Sequence, residues 1–296
     1  LFGLNEISTR IPAAIFGTFN VLLIFFLSGK ILKNKVVALF ASFSLAISPY
    51  AIHFSRFNHE ANFALFFFIL GILLFLIGLE KGKLLPLGFL SFGLSLISYN
   101  AAKIIVLGLI LLLCLFFFKK LIKNTNFYIG ALIFCLFIGL LFVNPGLSGK
   151  ARAEQTGGFT LLNEEVLVQR YLSYFTLDYL FFKGDQNPRL GVQVIGQFYL
   201  IEGLFLILGV LTLIIKRYKM GYFLLTWALI APIPGVLFGG RDEIPHAARS
   251  MYVMCSWQIV SAEGTLLIIN VFEKIKLGLF SWTKAAVFTV FITYHR

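Results

Sequence analysis

The chain has 296 residues, of which 59% are hydrophobic and only 13% are charged, with a formal net charge of +12. Soluble domains usually carry about a quarter charged residues, so this chain has too little polar surface for a water-facing globule. Its apolar residues form blocks of about 15 to 22, close to the ~20 that a helix needs to cross a bilayer. The composition excludes a soluble enzyme, a disordered chain and a disulfide scaffold. It predicts an all-α, polytopic membrane helix bundle.

Ten apolar blocks predict about ten transmembrane helices, because a long single segment in lipid must satisfy its own backbone hydrogen bonds. We interpret residues 1–296 as one transmembrane domain, with residues 144–197 as its one long external loop. The predicted spans are residues 11–27, 36–52, 61–79, 84–99, 101–118, 127–143, 198–215, 220–238, 251–272 and 277–294.

Basic residues are unevenly distributed among the connections between these spans. Five alternate connections hold 13 Lys and Arg, against the two acids Glu80 and Glu273 at their edges. By the positive-inside rule these connections are cytoplasmic, so the net charge reflects membrane topology. We therefore expect the lipid bilayer as a partner and no nucleic acid. The five connections are residues 30–35, 81–83, 119–123, 216–219 and 274–276.

Arginine, in contrast, lies mainly on the external side. Arginine binds phosphate and carboxylate through two parallel hydrogen bonds, and the topology needs no external arginine. This asymmetry predicts an external site for an anion. The external arginines are Arg10, Arg56, Arg152, Arg170, Arg189, Arg241 and Arg249.

The long external loop has a helical pattern of its own, which predicts an amphipathic helix lying in the membrane interface. Its apolar side consists of Val168, Leu172, Phe175, Tyr179 and Phe182. Its polar side consists of Glu164, Glu165, Gln169 and Arg170. The following GDQNP sequence at residues 184–188 is typical of a turn.

A first polar cluster follows Pro49 in SPYAIHFSRFNHEANF, where the proline is expected to kink or end the second span. His53, Arg56 and Glu60 would share one helix face, and Arg56 and Glu60 have the i, i+4 spacing of an ion pair. One interpretation is a solvated loop with a weak surface pair. The other is an arginine at the membrane edge that binds phosphate, with a histidine suited to proton transfer.

A second polar cluster, RDEIPHAAR at residues 241–249, lies between the eighth and ninth spans. It supplies Arg241, Asp242, His246 and Arg249. If Pro245 opens a helix, His246 and Arg249 face the same way, and the helix N-terminus forms an anion site. The alternative is an ordinary polar loop.

Other ionisable residues lie at span ends or within the apolar blocks. Lys103, close to Tyr99, either contributes to an anion site or extends its ammonium to the interface, and the same alternatives hold for Arg10 at the mouth of the first span. Charged groups inside spans should face the protein interior, and Glu263 and Lys284 lie at depths that would let consecutive helices pair them. The ionisable residues within the apolar blocks are Glu202, Glu263 and Lys284.

Four strings, in this order, resemble membrane glycosyltransferases of the GT-C superfamily. The strings are LNEISTRIPAAIFGTFNVLLIFFL, SPYAIHFSRFNHEANFALFF, SYNAAKIIVL and IPHAARS. The similarity is to the branch of protein O-mannosyltransferases and aminoarabinose transferases, and is densest over residues 1–118. It implies a transferase in a prokaryotic plasma membrane that moves a sugar from a polyprenyl-phosphate carrier to a protein, lipid or glycan acceptor on the external, periplasmic face.

The resemblance also implies a catalytic Asp or Glu in a first external loop, which precedes the NE-x-x-x-R string in this family. We therefore expect the chain to be an N-terminally truncated fragment, with the first span, that loop and the catalytic carboxylate before Leu1. One position departs from the family pattern, because relatives often have arginine where this chain has Lys103. A lysine meets phosphate as a point charge and lacks the bidentate fork.

From this resemblance we expect Arg56, Lys103 and Arg249 to bind the donor phosphate, with His246 and Arg241 behind them. Positive charge at the membrane edge would stabilise the departing lipid phosphate, so no cofactor is required. A divalent metal is allowed but not indicated by any ligand spacing. The alternative is a transporter or flippase for a lipid-linked anion, although we find no internal repeat of the kind such proteins carry. The supporting residues of the site are His53, Glu60, Tyr99, Asp242 and Arg10.

Overall fold

The computed structural model describes residue 3 and residues 5–148, 163–238 and 245–274. All regular secondary structure in these segments is helical, which confirms the predicted all-α class. Within these segments, six helical stretches are long and apolar enough to cross a membrane, with Lys219–Leu237 counted as one, and a bent helix pair provides a seventh candidate. The chain is a polytopic helical membrane protein.

The helices of the described segments are numbered in chain order. They are α1 (Glu6–Leu32), α2 (Lys35–Ile47), α3 (Pro49–Arg56), α4 (Glu60–Gly78), α5 (Leu85–Ser98), α6 (Ala102–Leu121), α7 (Thr125–Val143), α8 (Pro145–Ser148), α9 (Glu164–Ser173), α10 (Leu200–Ile215), α11 (Lys219–Ile230), α12 (Ile233–Leu237), α13 (Ala247–Ser250) and α14 (Tyr252–Lys274). The first nine predicted spans all correspond to helices in this series. The tenth, at residues 277–294, lies outside the described residues.

The second predicted span is bent. Helix α2 ends at Ile47, α3 begins at Pro49, and their axes differ in direction by 57°. Proline has no backbone N–H and its ring clashes with the preceding turn, so the bend at this position confirms the prediction for Pro49.

Aromatic side chains join three helices in the centre of the bundle. Phe68 of α4 packs edge-on against Tyr252 of α14, with ring centroids 4.9 Å apart. The same ring packs against Trp227 of α11 at 5.5 Å. All three side chains are fully buried. This contact fixes α4, α11 and α14 relative to one another, next to the polar end of the molecule described below.

Helices α10 and α14 approach each other so closely that their backbones touch. A Cβ atom added to Gly209 would lie 1.9 Å from the carbonyl oxygen of Val260, and one added to Gly264 would lie 1.9 Å from that of Phe205. Small residues at helix contacts are typical of membrane proteins, where close packing replaces the hydrophobic driving force. Three residues further along α10, Thr212 lines a cavity together with Leu267 and Asn270 near the end of α14, so the two helices run parallel.

The buried carboxylate of Glu263 pairs with a different partner from the predicted one. Its Oε1 lies 2.6 Å from Nζ of Lys216, which follows the last residue of α10. The predicted partner, Lys284, lies outside the described residues. The parallel packing places the end of α10 beside the last turns of α14, and the Lys216 side chain extends back along the helix to Glu263.

The loop between α7 and α10 contains the expected helix, α9, but with one reversal. Val168 and Leu172 are each 56% exposed, whereas Arg170, assigned to the solvated polar side, is only 8% exposed. Leu167 and Tyr171 pack against the bundle instead, and Arg170 is buried on the same side of the helix. A π-helical turn at Asp178–Phe182 follows.

Four lysine-rich connections meet at one end of the bundle, which we call the lysine end. Lys30 Nζ lies 2.6 Å from a carboxylate oxygen of Glu80, and the Tyr218 hydroxyl donates to the carbonyl oxygen of Ile31 at 2.6 Å. Lys219 donates to the carbonyl oxygen of Phe116. The connections are residues 30–35, 80–83, 116–123 and 216–219.

We expect the lysine end to be cytoplasmic. In a background without the native cysteines, an impermeant thiol reagent should label Lys183→Cys in intact cells, because Lys183 is 58% exposed at the opposite end. Lys81→Cys should react only after permeabilisation. Labelling of Lys81→Cys in intact cells, with Lys183→Cys protected, would reverse the orientation.

Candidate functional site

The end opposite the lysine end brings together the polar segments singled out in the sequence. The His59 ring packs edge-on against Tyr99 at 5.5 Å, and the backbone N–H of His246 donates to the Tyr174 hydroxyl at 3.1 Å. We call this the arginine end. It contains an open cleft and a buried tyrosine cluster, which consists of Tyr174 and Tyr179. Its segments are residues 53–60, 99–103, 174–189 and 246–249.

An open cleft of about 560 Å³ lies between α1 and α3. Arg10, His53 and Arg56 line it together. Arg10 forms an exposed ion pair with Glu6 at 2.6 Å, whereas Arg56 is exposed and has no ion pair with any described residue. The cleft therefore presents two guanidinium groups and one imidazole, a donor set suited to phosphate or carboxylate.

The predicted arrangement of His53, Arg56 and Glu60 on one helix face is wrong. Helix α3 ends at Arg56 and α4 begins at Glu60, so the three residues lie on two helices. His59 caps the new helix, because its Nδ1 accepts a hydrogen bond from the Ala61 N–H at 3.1 Å. This break separates Arg56 from the helix that carries its expected ion-pair partner.

Lys103 lies in the first turn of α6, where its Nζ donates to the side-chain carbonyl of Asn100. It has no ion pair with a described residue. Tyr99, at the end of α5, is close enough to Tyr50 and Tyr252 to interact electrostatically with both. Lys103 is thus held by a local hydrogen bond beside the tyrosines.

Two buried tyrosines anchor the loop between α7 and α10 to the bundle. The rings of Tyr174 and Tyr179 pack edge-on at 5.6 Å, and the Tyr179 hydroxyl lies 3.0 Å from the Ser250 Oγ. Burial raises the pKa of both phenols well above the ordinary value; in Tyr174 the His246 N–H and Arg249 oppose this shift only in part. Both hydroxyls are therefore neutral at physiological pH and add no negative charge near an anion.

Asp185 is a site residue that the sequence analysis missed. It is 3% exposed, and its carboxylate accepts hydrogen bonds from the N–H groups of Ala247 at 2.6 Å and Asn187 at 2.8 Å. The acid fixes the loop between α7 and α10 to the beginning of α13. Its only sequence signal is an acid within a turn motif, a pattern that usually marks a solvated position.

The helix expected after Pro245 is present but has only four residues. His246 caps it, with Nδ1 accepting from the Arg249 N–H at 3.4 Å. The half-buried Arg249 donates through Nη1 to the carbonyl oxygen of Phe238. Arg241 and Asp242, which belong to the same predicted cluster, lie outside the described residues.

The three expected phosphate ligands thus have different surroundings. Arg56 lines the open cleft, Lys103 bonds Asn100, and Arg249 contacts backbone beside the tyrosine cluster. The structure groups Arg56 with Arg10 and His53, two residues that the sequence analysis had treated only as supporting.

Residues 1–142 match the family described as dolichyl-phosphate-mannose-protein mannosyltransferase. The fold is similar to that of the Archaeoglobus fulgidus oligosaccharyltransferase crystallised with a tethered acceptor peptide containing the NVT sequon. The two share 16% identity with a TM-score of 0.55, over 97% of this chain and 42% of that one. The chain thus spans less than half the length of this relative. No curated protein sequence matches it.

The family match confirms the resemblance to protein mannosyltransferases over residues 1–142. The sequence match covers α1 to nearly all of α7 and includes the cleft with Arg10 and Arg56, while the similar fold covers almost the whole chain. The family match therefore concerns the first half of the chain, and the similarity to the oligosaccharyltransferase concerns its fold.

Proposed function

We propose that this protein transfers a sugar from a polyprenyl-phosphate carrier to an acceptor at the arginine end, on the external face of the membrane. The acceptor is a protein, a lipid or a glycan. The observation that carries the proposal is the open cleft lined by Arg10, His53 and Arg56. Except for Val192, its lining lies in the part of the chain that matches a family named for a dolichyl-phosphate-linked sugar donor.

The chemistry of the donor fits this cleft. When the bond between the sugar and the phosphate breaks, negative charge grows on the carrier phosphate. Two guanidinium groups can neutralise that charge through short, bidentate hydrogen bonds. Ile11, Ile15 and Ile52 on the adjoining surfaces of α1 and α3 are 48%, 47% and 42% exposed, and they suit the apolar chain of such a carrier.

The activating base is expected from another segment. Asp185 is buried, and both of its carboxylate oxygens accept backbone hydrogen bonds. We assign it a structural role. The family resemblance implies an Asp or Glu of a separate external loop as the residue that orients or deprotonates the acceptor.

The test is a transfer assay on the full-length protein in nanodiscs, with a polyprenyl-phosphate sugar labelled in the sugar. We expect the label to move to an acceptor and free polyprenyl phosphate to accumulate in equal amount. Parallel reactions with EDTA measure any dependence on a divalent metal. No release of sugar with peptide, lipid and glycan acceptors, combined with movement of the intact carrier between leaflets, would contradict transfer and favour the transporter alternative.

A further inference from the structure

Residues 189–202, which we call the strap, run alongside the bent helix pair α2–α3. The Tyr199 hydroxyl donates to the carbonyl oxygen of Ile47 at 2.9 Å, and the Ser48 hydroxyl donates to the carbonyl oxygen of Gln197 at 3.3 Å. Both bonds lie at the bend, where the last carbonyl groups of α2 lose their helical partners. The strap therefore supplies hydrogen bonds at the point where the helix is interrupted.

Glu202 holds the far end of the strap inside the bundle. Its side chain is 1% exposed. One carboxylate oxygen accepts from the Ser44 hydroxyl of α2, and the other accepts from the backbone N–H of Tyr199 at 2.9 Å. A buried carboxyl is costly unless it is hydrogen-bonded, and here its partners connect α2 to the beginning of α10.

The near end of the strap contacts the cleft. The carbonyl oxygen of Arg189 lies 2.9 Å from Nε2 of His53 on α3. Asp185, four residues earlier, is bound to Ala247 at the tyrosine cluster. The strap and the turn before it thus connect the buried tyrosines with α3, the helix that carries His53 and Arg56.

We propose that Tyr199 and Glu202 are positioning residues for the cleft. Helix α3 has only eight residues. The hydrogen bonds at the bend therefore determine where its C-terminal end, at Arg56, lies. By fixing that bend, the strap sets the position of Arg56 on α3 relative to Arg10 on α1. The effect on donor use rests on the proposed function, whereas the effect on geometry does not.

The geometric test measures a distance across the cleft. Spin labels at Ile7→Cys on α1 and Asn58→Cys after α3, both exposed sites, are placed in full-length protein whose native cysteines are replaced by alanine. Pulsed electron–electron double resonance on the parent protein should give one narrow distribution of the distance between the two labels. Tyr199→Phe, which removes only the hydroxyl, should broaden or shift it. Glu202→Leu should do so more strongly, and Glu202→Gln should restore most of the original distribution.

Tyr218→Phe is the matched control, because it removes a tyrosine hydrogen bond to a helix carbonyl at the lysine end. It should leave the distance distribution unchanged. If Glu202→Leu does not fold, the distance distribution of Tyr199→Phe alone tests the proposal. A folded Tyr199→Phe protein with the same narrow distribution as the parent would overturn the proposal.

The activity test uses the labelled polyprenyl-phosphate sugar. Tyr199→Phe should raise the KM for this donor about fivefold, as expected for one lost hydrogen bond, with little change in kcat. A fall in kcat at constant KM would overturn the positioning role. If Tyr199→Phe alters the distance across the cleft but the parent protein transfers no sugar, the positioning role of the strap is supported and the proposed function is contradicted. The failure of one proposal can thus be distinguished from the failure of the other.

Discussion

Replacing Gly264 by alanine should prevent the normal packing of α10 against α14. The added Cβ would lie 1.9 Å from the Phe205 carbonyl oxygen and 2.7 Å from the Gly209 nitrogen, and both are backbone atoms that cannot rotate away. The helices would have to separate, and they would then lose dispersion contacts along their length. We expect a destabilisation of about 3 kcal/mol, at the upper end for overpacking. The measurement is thermal unfolding in detergent, followed by size-exclusion chromatography.

Gly139→Ala on α7 is the matched control, because no atom lies within 4 Å of its added Cβ. It should unfold at the temperature of the parent protein. Gly209→Ala should behave like Gly264→Ala, since its added Cβ also meets a carbonyl oxygen. Equal unfolding temperatures for Gly264→Ala and Gly139→Ala would show that the helices do not touch at this point.

Arg56→Ala should lower kcat/KM for the polyprenyl-phosphate donor about 10- to 100-fold, the range expected for a hydrogen bond to a charged group. Arg56→Lys should recover only part, since the ammonium lacks the bidentate fork. Arg10→Ala should have a smaller effect, because Arg10 is shared with Glu6. The measurement is donor titration at saturating acceptor.

Arg217→Ala is the control for net charge, since Arg217 is an exposed arginine at the lysine end. It should leave donor use unchanged. An Arg56→Ala protein with the donor dependence of the parent would remove Arg56 from the site. Equal losses in Arg56→Ala and Arg217→Ala would assign the effect to overall charge and not to the cleft.

The positions of the helices could be predicted because the bilayer imposes a simple rule on sequence. Each crossing must be apolar over its whole length, so the blocks between residues 11 and 272 correspond to helices whatever their neighbours. Pro49 similarly predicts the bend in the second span, since its effect on the backbone is local. Both inferences depend only on residues adjacent in the chain.

The arrangement of the candidate site could be predicted only in part. The charge pattern indicates which residues lie at one end of the bundle, but it does not say which of them are neighbours around the rim. Arg56 therefore has Arg10 beside it in the cleft, while Lys103 and Arg249 have other partners. That lateral order depends on which helices pack together, and no local pattern encodes it.

Two residues show why local patterns mislead in this protein. Arg170 was expected on the solvated side of an amphipathic helix. It is buried, because that side of the helix faces the protein and not the solvent. Asp185 was interpreted as part of an exposed turn, although it anchors the loop to α13. The Asp185 contact with Ala247 joins residues 62 positions apart, so spacing alone carries no signal for it.

The pairing of Lys216 with Glu263 has a consequence for the order of synthesis. The lysine is translated 47 residues before its partner, so α10 is complete well before α14 leaves the ribosome. An acid in the middle of a helix makes insertion into lipid unfavourable by a few kcal/mol. When α14 enters the membrane, α10 is already there and presents the Lys216 ammonium and the surface at Gly209 to it. The two helices should therefore leave the insertion machinery together. In a chain truncated before α14, α10 should remain next to that machinery.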